Sequence, residues 1–412
     1  MNRSETVASQ PFIPVILGGN LGVYSIARSF HEAYYVKSIV ISSNVSGPIS
    51  HAPILETIER PNYTDEKELL NLVSEIETTY ANIPKFLIAT DDGNVDRIIA
   101  IREFLSSDEW MVPYTTRENI DILTNKSKFY ELCEELGLDY PKQHTIPANE
   151  TEVAEIPFTY PVVIKPARSI YFSPLSFAGK NKVYFAQNEE ELKSYVQKMR
   201  NGGYQEEIIM QEFVPGDDTS MHILTCYTAQ DGETKLASFG QTLLEDHTPS
   251  AIGNPVVIRT MNNEEVGKQA KKLIEHMNFV GFSNFDLKYD ERDGKYKFFE
   301  LNARLGRSNY YVTAGGNNTA EFYVKDFLYN ERIEPVTGQE EVLFSVVPKN
   351  LLLKYVEDPK LKEIVKEFYR NKQVKSPLDY SGAGKNLKRR FYENAAKINY
   401  YRKFSKFPPI NK

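Results

Sequence analysis

Between Gly281 and Gly316 the sequence reads GFSNFDLKYDERDGKYKFFELNARLGRSNYYVTAGG, with acids, amides and guanidiniums at short intervals on an otherwise apolar hairpin. Asp286, Glu300 and Asn302 offer the oxygen donors that suit a hard ion such as Mg²⁺, and Arg304 and Arg307 offer the guanidiniums that suit phosphate. Alternation of apolar and polar residues over 283–289 and 295–302 predicts two antiparallel strands flanking Glu291-Arg292-Asp293-Gly294. A two-residue turn at Asp293-Gly294 would set Asp286 against Leu301 and turn Glu300 to the other face. A three-residue loop over 292–294, with Gly294 left-handed as a bulge glycine, sets Asp286 opposite Glu300, Cβ atoms roughly 5 Å apart. The three-residue loop is therefore expected, and alternation brings Asn302 onto the face of Glu300. A lone Asp286 on a hairpin would read as a solvated carboxylate; a row of acids running into paired arginines reads as a site for metal-bound phosphate.

Further along the same chemistry, YPVVIKP at 160–166 is a β-branched run ending in Lys165, whose ammonium must find water or an anion; an anion is expected. Thr124 is the predicted N-cap of a helix that carries Lys126 and Lys128 and stops at Gly137. The 167–181 loop that follows Lys165 is long and poor in glycine, carrying Ser169, Tyr171, Phe172, Ser173, Ser176, Phe177 and Lys180.

The FELNARLGRS run, the V-I-K-P strand and QEFVPGDD together resemble the ATP-grasp ligases, over about residues 124–318. The resemblance implies ATP and two Mg²⁺ ions as cofactors, the ions held by Asp286, Glu300 and Asn302. It implies that Lys126 meets phosphate, with Lys128 as the fallback, and that Lys165 holds the α-phosphate. It implies that Glu212 and the Val214 backbone meet adenine, and that Asp218, or its neighbour Asp217, meets ribose. Arg304 would face the transferred phosphate or acyl phosphate, with Arg307 a second catalytic guanidinium. The 167–181 segment stands where the family has a mobile glycine-rich lid, so closure over phosphate falls to side chains such as Ser173.

These groups need a scaffold, and the pattern supplies an α/β one. A strand at 11–17, Gly18-Gly19, a helix at 21–33, a strand at 38–41, a helix at 65–80, a strand at 86–90 and a helix at 95–104 predict a small parallel sheet. GGNLG departs from GxGxxG and reads as a tight turn before a helix start. Asp91-Asp92-Gly93 follows the third strand at the end where open sheets bind ligands, and reads equally as substrate contact or solvated turn. A strand at 183–186 and a helix begun by Asn188 with Glu191 in capping-box spacing complete a lid subdomain, and a strand at 208–214 then returns. Strands at 220–228, 235–244 and 255–258 and a helix at 263–277 follow, with His247 and Arg259 as candidates for substrate carboxylate or as surface residues. The expected division is a Rossmann-like domain over 1–120, an ATP-grasp domain over 121–330 with its lid at about 160–207, and a basic, aromatic-rich extension over 331–412. SGAGKN at 381–386 lacks the glycine spacing and the terminal hydroxyl of a P-loop and reads as a turn.

The 412 residues are enough for two or three domains. A net charge of −7 argues against attraction of the whole chain to nucleic acid or to an anionic membrane, so any basic patch has to be local. Cys133 and Cys226 read as buried small apolar residues. The first residues lack the apolar core of a secretory signal, and no apolar run reaches the roughly 20 residues that span a bilayer, so a cytoplasmic location is expected.

Together these readings predict an ATP-dependent ligase that joins a carboxylate to an amine through an acyl phosphate. The GGNLGVYSIARSFHEAY opening and the C-terminal segment are similar to the D-aspartate ligases of Gram-positive bacteria. That resemblance implies D-aspartate as donor and the lysine side chain of a peptidoglycan precursor, such as a UDP-linked muropeptide, as acceptor. Alternatives are an amino-acid or dipeptide ligase with other substrates and a nucleotide-binding protein without catalysis. The basic C-terminus is a candidate for peripheral membrane contact.

Overall fold

The computed structural model describes residues 7–153, 156–249, 251–336, 338–380 and 386–409. Most of SGAGKN, 381–385, and the first six residues lie outside the described residues.

Five parallel strands open the chain: β1 (Ile13–Leu17), β2 (Ser38–Ser42), β3 (Leu55–Glu59), β4 (Lys85–Ala89) and β5 (Trp110–Met111), in the order β3-β2-β1-β4-β5. β1, β2 and β4 are buried along their whole length because helices cover both faces of the sheet. α1 (Leu21–Tyr34), α2 (Glu66–Thr79) and α3 (Asp92–Ile101) are the crossovers. β3 and β5 were not anticipated. Gly18, at φ +107°, makes the tight turn after β1, and Asn20 Oδ1 accepts the N–H groups of Gly22 (2.7 Å) and Val23 (3.2 Å). Those amides of α1 are therefore taken by its own cap.

After α4 (Arg117–Leu123), Thr124 closes that helix with its hydroxyl on Ile120 O. The cap of α5 (Lys126–Leu136) is Asn125, not Thr124, and Gly137 ends it in the left-handed conformation at φ +68°. A four-stranded antiparallel sheet follows in the order β6-β9-β7-β8: β6 (Gln143–Ile146), β7 (Val162–Pro166), β8 (Tyr184–Ala186) and β9 (Ile208–Glu212). It has its own core, in which Val162, Ile164 and Tyr184 meet Leu192, Val196 and Met199 of α7 (Glu189–Asn201). The glycine-poor loop forms the short helix α6 (Ser169–Phe172) and is tied to this core through Phe172 and Phe177. Lys180 Nζ bonds back to the carbonyls of Ser173 and Leu175.

The third sheet carries Asp286, Glu300 and Asn302. Its order is β14-β13-β10-β11-β12-β15-β16, built from β10 (Met221–Thr228), β11 (Thr234–Asp246), β12 (Asn254–Met261), β13 (Gly281–Asp290), β14 (Lys295–Asn302), β15 (Leu343–Ser345) and β16 (Val374–Lys375). It is antiparallel except for the β15–β16 pair. α8 (Glu264–His276), capped by Asn263, packs on it through Val266, Ala270, Leu273 and Ile274. β15 and β16 come from beyond residue 331, so this part of the chain completes the sheet. The last helix, α9 (Leu387–Lys406), touches both the third sheet and the opening domain: Lys403 pairs with buried Asp246 of β11 at 2.7 Å, and Arg389 donates to Pro48 O. Cys133 and Cys226 are buried free thiols. Among the described residues no helix is long and apolar enough to cross a membrane.

Candidate active site

β13 and β14 pair with Asp286 directly opposite Glu300 and Asn284 opposite Asn302. The expected opposition is there, but the expected loop is not. Asp290 pairs with Lys295, so the loop has four residues, 291–294, and the register shifts between Asp286 and Leu287 because Phe299 is an extra residue on β14. Gly294 is left-handed at φ +72° and its N–H closes the loop on Asp290 O at 2.9 Å. The bulge does what the shorter loop was expected to do, and Phe299 and Glu300 both line one cavity.

Two carboxylates this close in a buried place cannot both stay ionised without cations. Burial and the charge of Glu300 push the Asp286 carboxyl well above the usual range, and the two side chains share a hydrogen bond. For Glu300 burial also works upward, but Lys126, Lys182 and Lys165 outweigh it and hold the group ionised. Lys126 Nζ lies 2.8 Å from Glu300 Oε2. It comes from the first turn of α5, whose backbone N–H at Lys126 bonds Ala167 O of the lid at 3.1 Å. Lys165, at the end of β7, is buried and donates to Tyr130 Oη at 3.0 Å; burial, then the charge of Lys126, pull its ammonium down to about 7. Tyr130 in turn donates to the carbonyl of Phe299 at 2.7 Å, which buttresses the bulge.

Asp286, Glu300, Lys126 and Lys182 are the common wall of two cavities. One, of about 170 Å³, is reached by Lys165 and lined by Val183, Met221, His222 and Phe299. The other, of about 260 Å³, is lined by Asp92, Asn302, Arg304, Arg307 and Ser173. Arg304 Nε and Nη2 reach Asp92 at 2.7 and 3.1 Å, and Nη2 reaches Asn302 Oδ1 at 3.1 Å. Asp91 caps α3 on Asn94 N, so of that pair Asp92 faces the cavity. Arg307 makes no hydrogen bond or ion pair among the described residues. Its backbone packs on Gly22, where a Cβ would come within 3.1 Å of Arg307 Cα.

Three expected residues lie elsewhere. Glu212 turns outward: its carboxylate accepts Lys142 N at 2.8 Å and pairs with Arg292 at 3.2 Å, outside both cavities. Val214 is buried and lines neither cavity. Asp218 stands behind the wall, accepting Glu245 N at 2.9 Å and pairing with His247 Nε2 at 2.8 Å. Alternation along β9 explains the first case, since Gln211 takes the inward position and accepts from Tyr130 at 3.1 Å. Arg259 reaches Glu341 at 3.6 Å instead of a cavity. Lys128 lines neither cavity.

The lining or supporting residues not singled out from the sequence include Tyr130, Lys182, Glu245 and Phe299. Glu245 lines the smaller cavity, and burial, then Asp218, push its carboxyl up to about 7. Tyr130 sat in the helix that Lys126 opens, four residues on, which puts both on one face.

A metal fits the donor set. Among the described residues no three His, Cys, Asp or Glu side chains converge as a complete cage, so Asp286, Glu300 and Asn302 would hold an ion whose remaining positions go to phosphate or water. That is the ligation Mg²⁺ prefers, and a pair of half-buried carboxylates sharing a hydrogen bond is what a cation would replace.

Residues 123–308 match the family model described as an ATP-grasp domain. The chain is 32% identical over 415 residues to the D-aspartate ligase of Enterococcus faecium (strain Aus0004), covering 98% of each protein. Among solved structures, the L-amino acid ligase from Bacillus licheniformis aligns with a TM-score of 0.55 at 16% identity, over 80% of this chain and 78% of that one. The biotin carboxylase domain of Hydrogenobacter thermophilus 2-oxoglutarate carboxylase, solved with MgADP and bicarbonate, aligns with a TM-score of 0.59 at 12% identity, over 80% and 73%.

Proposed function

The chain belongs to the ATP-grasp ligases, an ATP-dependent carboxylate–amine ligase by that kinship, and from this premise we propose that its donor is D-aspartate and its acceptor the lysine amine of a peptidoglycan precursor. The observation that carries the reading is the wall: Asp286, Glu300 and Lys126 stand between an apolar cavity with a buried lysine and a polar cavity with a guanidinium, Arg307, that has no ion pair among the described residues.

The apolar cavity suits a nucleotide, with Phe299, Met221 and Val183 toward the base and ribose and Lys165, Lys126 and Lys182 toward the phosphates. Mg²⁺, one or two ions on Asp286, Glu300 and Asn302, would supply charge neutralisation on the phosphate oxygens. A donor in the polar cavity carries a carboxylate to the wall, where Lys126 and Lys182 draw off the charge that otherwise repels an anion from phosphate. The donor oxygen attacks the γ-phosphorus, ADP leaves, and an acyl phosphate remains. The acceptor nitrogen then attacks the carbonyl carbon, gives up a proton, and inorganic phosphate departs. Arg304, fixed by Asp92 and Asn302, is oriented before substrate arrives and stabilises charge on the departing phosphate. Arg307 holds the second carboxylate of an acidic donor, and Asp92, Asp96 and Asp121 on the same cavity offer partners to its ammonium. Ser173, at the end of α6, closes the phosphate side from the lid.

ADP release measured against a panel of D- and L-amino acids, with and without a lysine-containing cell-wall peptide, tests the assignment. Release that needs D-aspartate and rises with the peptide is expected. Indifference to D-aspartate with turnover of another amino acid would transfer the site to another donor, and ATP binding without hydroxylamine-trappable product from any acid would remove catalysis.

A further inference from the structure

The helix α9 has two faces with different work. Its inner face is fixed: Tyr400 and Phe404 are buried, Arg389 lies 4.2 Å over the ring of Tyr24, and Lys403 holds Asp246. Its outer face carries Leu387, Phe391, Ile398 and Tyr401, which are 84, 76, 56 and 44% exposed. Of the eight large apolar side chains exposed among the described residues, these four sit on this one helix, so the exposure is a feature of the helix and not scatter. At about 100° per residue the four fall within a sector of about 80°, along about 21 Å of axis.

Charge borders that stripe. Arg390 and Lys397 lie along one edge, and Lys388, Arg402 and Lys406 along the other. Lys397 reaches Asp379 at 3.2 Å; the other four have no ion pair among the described residues. The helix holds seven Lys and Arg against one Glu, which is spent on Arg389, in a chain whose net charge is −7.

We propose that this outer face docks on an anionic lipid surface. An apolar stripe with cations on both edges is what lies in the plane of a headgroup layer, the apolar side chains entering it and the cations meeting phosphate. A second copy of the chain would bring the same cations against themselves. Single-stranded nucleic acid needs ring faces for successive bases, and the stripe offers two, Phe391 and Tyr401, ten residues apart with the aliphatic Ile398 between them. Docking there would leave the inner face, and the cavity beside Arg307, undisturbed.

Co-sedimentation of the full chain with vesicles tests this, using phosphatidylcholine alone against phosphatidylcholine mixed with phosphatidylglycerol. Binding to the mixed vesicles only, weakened by salt, is expected. Leu387→Ser/Phe391→Ser/Ile398→Ser and Lys388→Glu/Arg390→Glu/Arg402→Glu should each lower partitioning about tenfold or more, with unchanged far-UV spectrum and turnover of soluble substrates. Equal binding to neutral vesicles, no binding, unaltered binding by the variants, retention on single-stranded nucleic acid in place of vesicles, or a dimer that Phe391→Ser dissociates would each overturn it.

Discussion

The cavity on the Lys165 side of the Asp286–Glu300 wall is lined by Phe299, Met221 and Val183, whereas the cavity on the Arg304 side is lined by Asp92, Arg307 and Ser308. The first holds Lys165 in apolar surroundings beside the wall lysines Lys126 and Lys182, and burial, then the charge of Lys126, pulls the Lys165 ammonium down to about 7; an arriving anion restores that charge and is held in return. The second has most of its charge paired in advance, as in Arg304 with Asp92, and leaves Arg307 to choose. On the proposed assignment one side accepts a common nucleotide and the other discriminates among small polar acids.

If the two sides are separable in this way, substitutions should divide between substrates. Of the substitutions that separate the two sides, the largest effect expected is at Lys165: Lys165→Met should lower kcat/KM for ATP on the order of 10²-fold or more and leave KM for the donor acid nearly unchanged, as steady-state kinetics with each substrate varied would read. Next is Arg307→Ala, which removes a charge-assisted contact to the donor and should raise its KM about 10- to 100-fold, with KM for ATP constant. A rise shared equally by both substrates would break the comparison.

The pH dependence sharpens it. A lysine that titrates near 7 when free must take up a proton to hold phosphate at higher pH. ATP affinity should therefore fall as pH rises above 7, by at most about tenfold per unit, and level off below it; calorimetry in buffers of different ionisation enthalpy would show proton uptake on binding. Lys165→Met should flatten that slope. The smallest effect belongs to Glu212, whose carboxylate faces Lys142 and Arg292. Glu212→Ala should cost about 1 kcal/mol of stability from the lost hydrogen bonds, read by denaturant unfolding, while KM for ATP stays within about twofold.

The hairpin shows what the sequence could and could not convey. Alternation fixed which residues share a face, so the opposition of Asp286 and Glu300 was legible. Loop length and a bulge trade one residue against another, so a four-residue loop with Phe299 inserted gives the register that a three-residue loop would have given without it. Three strands of the parallel opening sheet, β1, β2 and β4, were legible because they are largely apolar runs, whereas β3, which reads LETIE, and the two-residue β5 were not. β15 and β16, three and two residues long, are too short to show a period, and the C-terminal segment read as an appendage for that reason. Glu212 was placed by its neighbours in the run QEFVPGDD, one position from the residue that points inward, Gln211. Lys182 and Glu245 carry no local signal at all: a lysine in a loop and an acid before Asp246-His247 become site residues only when the lid and β11 close on the same wall.

The central claim is that Glu300, kept ionised by Lys126, Lys182 and Lys165, carries the phosphate-transfer step between the two cavities. Its most direct test is acyl phosphate formation in a single turnover, trapped by hydroxylamine, with wild type and Glu300→Gln at saturating ATP, Mg²⁺ and donor. Loss on the order of 10³-fold in the variant, with the folded structure retained, is the result expected. Near-normal trapping by Glu300→Gln would contradict it.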